Sequence, residues 1–470
     1  MSAETYSPAP LGAVPMGDYP MPYSVSGSGE QHSGQVRMAY RLARSHTDRL
    51  LHVHGLGWHY WDGARWAEDT RGYATRAVLD VLTSALAESI GDKQLRADVS
   101  RCETASGIAG VLCIAASLVE FAVTVEDLDA DPDLLNVANG TLHLSSGLLR
   151  DHDPRDRLTK VTRAAYKEGE HSGAWSEFLA TVLPDEAERG YLQRVVGQSL
   201  YGRVTEHLFP VLIGTGANGK STAYGALVAA LGDYATVIDP ALLMTRDHGG
   251  TPGPELMELL GARLVIGSET QEGRKLDEST MKRLSGGDPI TARRLYREPV
   301  TWTPSHQLVY VTNHLPAVKG NDPAVWRRVV VVPFEVVVPP ENRDPHLPEK
   351  LGQHLDAVLL WAIDGWRDYR QNGMRPPASV TRATEAYRTD SDAVARFVSD
   401  ACLTSTAATA TTRNLFAAWQ RWAVSDGAEP LSEKAFGREL DRLGYPARRT
   451  KVGMVRDGLS PYSDEGGEGW

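Results

Sequence analysis

The nonapeptide Gly214-Thr-Gly-Ala-Asn-Gly-Lys-Ser-Thr222 constrains this chain more than any other stretch. It fits the pattern G-x-x-x-x-G-K-[ST] and stands between a strand-like run, FPVLI, and a helix-like run, STAYGALVAAL. Glycines there let the backbone wrap close to phosphate oxygens, so N–H groups and a helix N-terminus face the anion. Lys220 is then expected to reach the β- and γ-phosphates of ATP, and Ser221 to ligate Mg²⁺. The candidate nucleotide-binding set is the whole loop: Gly214, Thr215, Gly216, Ala217, Asn218, Gly219, Lys220, Ser221 and Thr222.

The residues after the loop fit a buried parallel sheet with crossover connections. The apolar runs LFPVLIG, ARLVIGS, QLVYVTN and RVVVVPF alternate with helical or polar stretches from 208 to about 335. ARLVIG ends in Ser268-Glu269, and an acid at that strand end can hold the Mg²⁺ shell and polarise water; Glu272 is a rival. QLVYV ends in Thr312-Asn313, where an amide can bond the γ-phosphate or the attacking water. Arg327 and Arg328 precede the last run and can supply an arginine finger to a neighbouring subunit, with Arg327 preferred.

Charge sets where a polyanion could bind. The chain carries a formal net charge of -11, so DNA contact must come from local basic patches. Between Lys282 and Arg297, five basic residues face one acid, a local charge of +4. Gly286-Gly287-Asp288 followed by a short strand predicts a hairpin projecting from the sheet, with Lys282, Arg293, Arg294 and Arg297 as candidate phosphate contacts. A second basic segment lies near the C-terminus. The helix SEKAFGRELDRLGY and the segment ARRTKVGMVRDGLS predict a helix followed by a two-stranded wing, with Arg448, Arg449 and Lys451 as candidate DNA contacts.

Taken in order, these motifs resemble those of superfamily 3 helicases, and closely the phage/plasmid primase-helicase branch related to poxvirus and satellite-phage replication proteins. GTGANGKST, ARLVIGSETQEGRKLDE, MKRLSGGDPITARR, LVYVTNHLP and WRRVVVVPF carry the resemblance, with NVANGTLHL and DHDPRDRLTKVT upstream; it covers roughly residues 130–400. The resemblance implies an α/β fold with an AAA+-like P-loop ATPase core, a mostly helical N-terminal domain and a small C-terminal winged-helix-like domain. It implies a hexameric ring moving 3′→5′ on single-stranded or forked DNA, served by a separate primase or replisome proteins. Carried over by position, Lys220 and Ser221 bind phosphate and Mg²⁺, and Glu269 is the acidic motor residue. Asn313 is the γ-phosphate sensor, Arg327 or Arg328 the trans finger, and Arg293–Arg294 the DNA contact. The expected activity is ATP-dependent replicative unwinding in a phage or mobile element. The alternatives are an origin-binding or loading ATPase without processive unwinding, and another P-loop polymer motor. Many relatives also carry a primase-polymerase domain, for which this chain has too little room; Asp127 and Asp129, in VEDLDADPD, read as loop residues rather than a metal pair.

The expected organisation is a disordered tail over 1–33, a helicase-associated domain over 34–200, the ATPase over 201–392, the winged-helix-like domain over 393–460 and an acidic, Gly-rich tail over 461–470. His52, His54 and His59 lack a convincing further metal ligand, and Trp58, Trp61 and Trp66 read as a small core. Cys102, Cys113 and Cys402 fit neither a disulfide framework nor a zinc site, which favours a reducing cytoplasm. No apolar run approaches membrane-spanning length.

Overall fold

The computed structural model describes residues 29–245, 253–268, 274–318, 322–451 and 453–462. They divide into two compact units, with the boundary between Asp127 and Leu128, inside the segment expected to be one domain over 34–200.

Helices predominate in the first unit, and a small sheet accompanies them. Helix α1 (Gly34–His46) leads to strands β1 (Leu50–Val53), β2 (Gly57–Trp61) and β3 (Trp66–Glu68). Helices α2 (Tyr73–Glu88), α3 (Lys93–Cys102) and α4 (Ala105–Ala115) follow, then β4 (Ala122–Val123), giving a sheet of order β3-β2-β1-β4. The helical patterns at about 73–90 and near 107–121 in the sequence correspond to α2 and α4, whereas α3 carries no such pattern. Its inward face reads Leu95, Asp98, Val99 and Cys102, and the fully buried Asp98 interrupts the apolar stripe. Arg37 of α1 neutralises it, with Nη1 3.1 Å from Oδ2. Trp66 is buried and Trp58 packs edge-on against Phe121. No group of three or more His, Cys, Asp or Glu side chains among the described residues is placed to hold a metal.

The second unit opens with the antiparallel strands β5 (Leu134–Val137), β6 (Gly140–His143) and β7 (Leu148–Arg150), where LLNVANGTLHLSSGLLRDHDP reads in sequence as two short strands. Helices α5 (Gly173–Val182) and α6 (Glu186–Ser199) lead to β8 (Phe209–Ile213), α7 (Lys220–Leu231), β9 (Ala235–Ile238) and β10 (Leu264–Ser268). After α8 (Glu278–Leu284) come β11 (Ile290–Ala292), β12 (Val300–Trp302), β13 (Gln307–Thr312), α9 (Pro323–Trp326) and β14 (Val329–Pro333). Strands β8, β9, β10, β13 and β14 form one parallel sheet of order β14-β8-β13-β10-β9. Its central strands are buried along their length, as expected of a sheet covered on both faces. Arg263, 2% exposed, ties this sheet to the opening strands by donating to the carbonyls of Leu200 and Leu134 while stacking on Tyr234.

Beyond the sheet, α10 (Leu347–Gly352), α11 (Leu355–Asn372) and α12 (Ala378–Ser391) complete the core. The C-terminal part contains α13 (Ala393–Ala401), β15 (Cys402–Thr411), α14 (Thr412–Asp426), α15 (Glu433–Arg442), β16 (Ala447–Thr450) and β17 (Gly453–Pro461). Its strands form an antiparallel sheet of order β15-β17-β16, around a small core that includes Phe397, Trp419 and Phe436. Among the described residues no helix is long and apolar enough to cross a membrane.

Candidate nucleotide and nucleic-acid sites

Strand β8 lies between β13 and β14, both of which come later in the chain. Strand order therefore reverses beside β8, and in open parallel sheets ligands bind at the carboxyl ends of strands at such a reversal. The register sets Ile213 opposite Thr312, so the loop beginning at Gly214 and the turn beginning at Asn313 leave the sheet side by side.

Lys220 joins them. Its Nζ donates to Gly214 O at 2.7 Å, to Asn218 Oδ1 at 3.0 Å and to Asn313 Oδ1 at 3.1 Å. The ammonium is buried, and the three oxygens share its charge. Asn218 is also buried and donates from Nδ2 to Phe334 O at 3.1 Å, fastening the loop to the end of β14. A backbone bond from Val338 N to Ala217 O adds a second fastening. Ala217 has φ 50°, a left-handed conformation that a non-glycine residue adopts at a cost. The loop and the β13 exit enclose a cavity of about 270 Å³, with Ser221, Thr222, Tyr224 and Asn313 on its wall.

Packing accounts for two of the glycines. A Cβ on Gly214 would lie 2.3 Å from Phe334 O, and one on Gly219 would lie 2.5 Å from a methyl of Val182 and 3.1 Å from the Phe178 ring on α5. Gly219 also has φ 79° as it leads into α7. The loop is thus shaped from beneath by α5 as well as by the needs of a ligand. Glu269 and its rival Glu272 lie outside the described residues.

The two arginines after α9 differ. Arg328 is 8% exposed, donates from Nη1 to Ala324 O at 2.7 Å, and has its pKa lowered by burial and by Arg327 beside it. Arg327 is exposed. Both stand at the amino end of β14, whereas the Lys220 loop follows the carboxyl end of its parallel neighbour β8.

Strands β11 and β12 pair antiparallel and form the expected hairpin. Arg293, Arg294 and Arg297 lie on its connection, all exposed. Lys282 belongs elsewhere: it sits on α8 and its Nζ is 2.8 Å from Asp322 Oδ2, which holds the Asp322 carboxyl below its ordinary range. Asp322 also caps α9 through Ala324 N. Sequence reasoning overlooked the residues between the hairpin arginines. Leu295 is 71% exposed and Tyr296 98% exposed, with Tyr296 at φ 60°. Two large apolar residues in a basic turn were the available signal. At the root, His306 is fully enclosed; Nε2 lies 3.0 Å from Leu284 O, and burial pushes its pKa down to about 4.

The C-terminal basic segment is arranged differently. Arg448 pairs through two nitrogens with Asp457 across the β16–β17 ladder, which holds the Asp457 carboxyl low. Arg442 pairs with Asp392 and Glu439. Arg456 is 2% exposed and donates to Asp441, Tyr445 O and Gly437 O. Arg449 and Lys451 remain exposed. Asp127 and Asp129 hold local structure, accepting from Thr124 N and Thr159 N respectively.

Three stretches of the chain match known protein families. Residues 39–184 match the family described as D5 N terminal like, and 389–465 match Poxvirus D5 protein-like. Residues 212–328, which hold the loop, hairpin and arginine pair, match a family of unknown function, DUF5906. A protein of Acanthamoeba polyphaga mimivirus named as a candidate helicase is 31% identical over 298 residues, 59% of this chain and 31% of that protein. The two D5 matches, one on each side of the loop-bearing segment, make the chain similar to D5-like primase-helicases. Other relatives of this D5-like chain are a candidate helicase of Frog virus 3, 28% identical over 57% of this chain and 29% of that protein, and a candidate primase of African swine fever virus, 23% identical over 60% and 32%. The D5-like chain spans about a third of the length of these relatives. The C-terminal region of NrS-1 superposes with a TM-score of 0.38 at 11% identity, covering 69% of this chain and 92% of that one, too loosely to carry an argument.

Proposed function

We propose that this D5-like chain is an ATP-driven DNA-unwinding motor that works as a hexameric ring, moving 3′→5′ on single-stranded DNA during replication of a virus or mobile element. The observation that carries the reading is the meeting of Lys220 with Asn313, 93 residues apart, at the reversal point of a parallel sheet. The parallel-sheet core is read as AAA+-like, and the C-terminal helices with the β16–β17 hairpin as a winged helix.

The residue roles are read from the motifs. Backbone N–H groups of Gly216–Lys220 cradle the β- and γ-phosphates of the substrate ATP, and Lys220 turns its ammonium toward them. Asn313 reads the terminal phosphate. Ser221, exposed on the first turn of α7, and the carboxylate of Glu269 are a hard-oxygen set suited to Mg²⁺, which when bound offsets phosphate charge. Arg327 serves the neighbouring subunit. A five-residue strand separates it from the level of its own loop, about 15 Å at roughly 3.3 Å per residue, beyond side-chain reach. Arg293, Arg294 and Arg297 grip the DNA backbone, single-stranded or at a fork. A separate primase and other replisome proteins are the further partners, in the host cytoplasm.

Strand displacement on 3′- and 5′-tailed duplexes tests the reading. Unwinding only of the 3′-tailed duplex, abolished by Lys220→Ala, is expected; ATP turnover without unwinding of either duplex would leave a loading ATPase instead. Arg327→Ala and Lys220→Ala chains should each be inactive alone and regain part of the turnover when mixed. Absence of complementation would remove the trans role of Arg327.

A further inference from the structure

The tip of the β11–β12 hairpin carries a residue that charge alone does not explain. Tyr296 is 98% exposed and Leu295 71% exposed, on a connection whose other side chains include Arg293, Arg294 and Arg297. Solvation disfavours an aromatic ring held fully in water. The backbone disfavours it as well: at φ 60° a bulky side chain occupies the left-handed region that glycine or asparagine would fill more easily. Arg297 N donates to Arg294 O at 3.1 Å, closing a turn that carries Leu295 and Tyr296 at its apex. Strain of this kind at an exposed apex points to a task for the side chain.

The surroundings narrow that task. Arg293, Arg294 and Arg297, set against Glu298, make the tip cationic in a chain of net charge -11. A π-face set among guanidinium groups suits a polymer that alternates planar bases with phosphates. Bases present their faces only when unpaired and unstacked, so a duplex satisfies the arginines but not the ring. We infer that Tyr296 stacks on a nucleobase of single-stranded DNA, making the hairpin selective for unpaired strands rather than a general phosphate grip. The inference rests on the DNA-motor reading and adds a base contact to it.

Fluorescence anisotropy with the full chain tests it, using a labelled oligothymidine and an abasic oligomer of equal length and charge. Wild type should bind the base-bearing strand more tightly. Tyr296→Ala should weaken that binding about tenfold or more, leave abasic binding unchanged and leave the salt dependence unchanged, while Tyr296→Phe keeps wild-type affinity. A thermal melt checks that each variant is folded. If wild type binds the base-bearing strand and Tyr296→Ala binds it equally well, the stacking role is overturned and the motor reading stands. Equal losses by Tyr296→Ala on both oligomers would also overturn stacking. If wild type binds neither oligomer, the DNA-motor reading falls and the inference falls with it.

Discussion

Two hairpins in this chain look alike as strings of basic residues and differ as surfaces. On the β11–β12 hairpin, Arg293, Arg294 and Arg297 are exposed at a projecting tip. On the β16–β17 hairpin, Arg448 is clamped to Asp457 and Arg456 is buried as a staple from β17 to α15, leaving Arg449 and Lys451 outward. Charge counted along a sequence is therefore not charge at the surface. What matters is how much of it the fold leaves exposed. The first hairpin presents all three arginines at its tip; much of the second hairpin's charge holds its own domain together.

The largest effect that would sharpen this contrast is in stability. Removing Arg456 leaves two carbonyls and Asp441 without their partner in a largely buried place. Arg456→Ala should cost about 2–4 kcal/mol of C-terminal domain stability, read by denaturant titration of the intact chain. Arg294→Ala, at an exposed tip, should leave that titration unmoved. In binding, Arg293→Ala combined with Arg294→Ala should lower single-strand affinity about tenfold or more. It should also reduce the salt slope by about 1.4, about 0.7 for each charge removed.

A third test separates the roots of the two hairpins by pH. His306 is enclosed and its pKa is pushed down to about 4 in the folded chain, against an ordinary value of 6.5. The unfolded chain binds the proton first, so stability is complete above 6.5 and falls as pH drops toward 4. The loss should be about 2 kcal/mol between pH 7 and pH 5, and it should vanish in His306→Gln. An acid transition unchanged in that variant would remove His306 as its cause. The smallest effect is expected at the wing: Arg449→Ala with Lys451→Ala should weaken DNA binding by roughly threefold at most. Losses equal to those of the first hairpin would break the comparison and make the C-terminal domain a second grip.

Legibility in the sequence followed the same division. Local pattern was enough for the Lys220 loop, for the parallel strands β8, β10, β13 and β14 but not β9, and for the hairpin, because each is written in neighbouring residues: glycines before a helix, apolar runs, a turn between short strands. Strand order was not written locally, and the Lys220–Asn313 contact comes from the register of β8 with β13. Helix α3 was hidden because Asp98, neutralised by Arg37 from another helix, occupies an inward position that periodicity expects to be apolar. Strand β15, CLTSTAATAT, was hidden for the opposite reason: it is mostly exposed, and its pairing with β17 is a long-range fact. The role of Arg456 was not written locally, because its partners Asp441 and Tyr445 arrive through the fold of α15 against β17.

The contact beneath Gly219 carries an evolutionary consequence. Val182 and Phe178 sit where a Cβ at 219 would go, so drift at these places is not independent. Bulk can be gained at 219 only after it is lost at 182, and even then φ 79° disfavours the change. Helix α5, outside the nine-residue signature, thus limits which residues that signature can accept at 219. Among relatives in which the loop has decayed, α5 should show the relaxation as well.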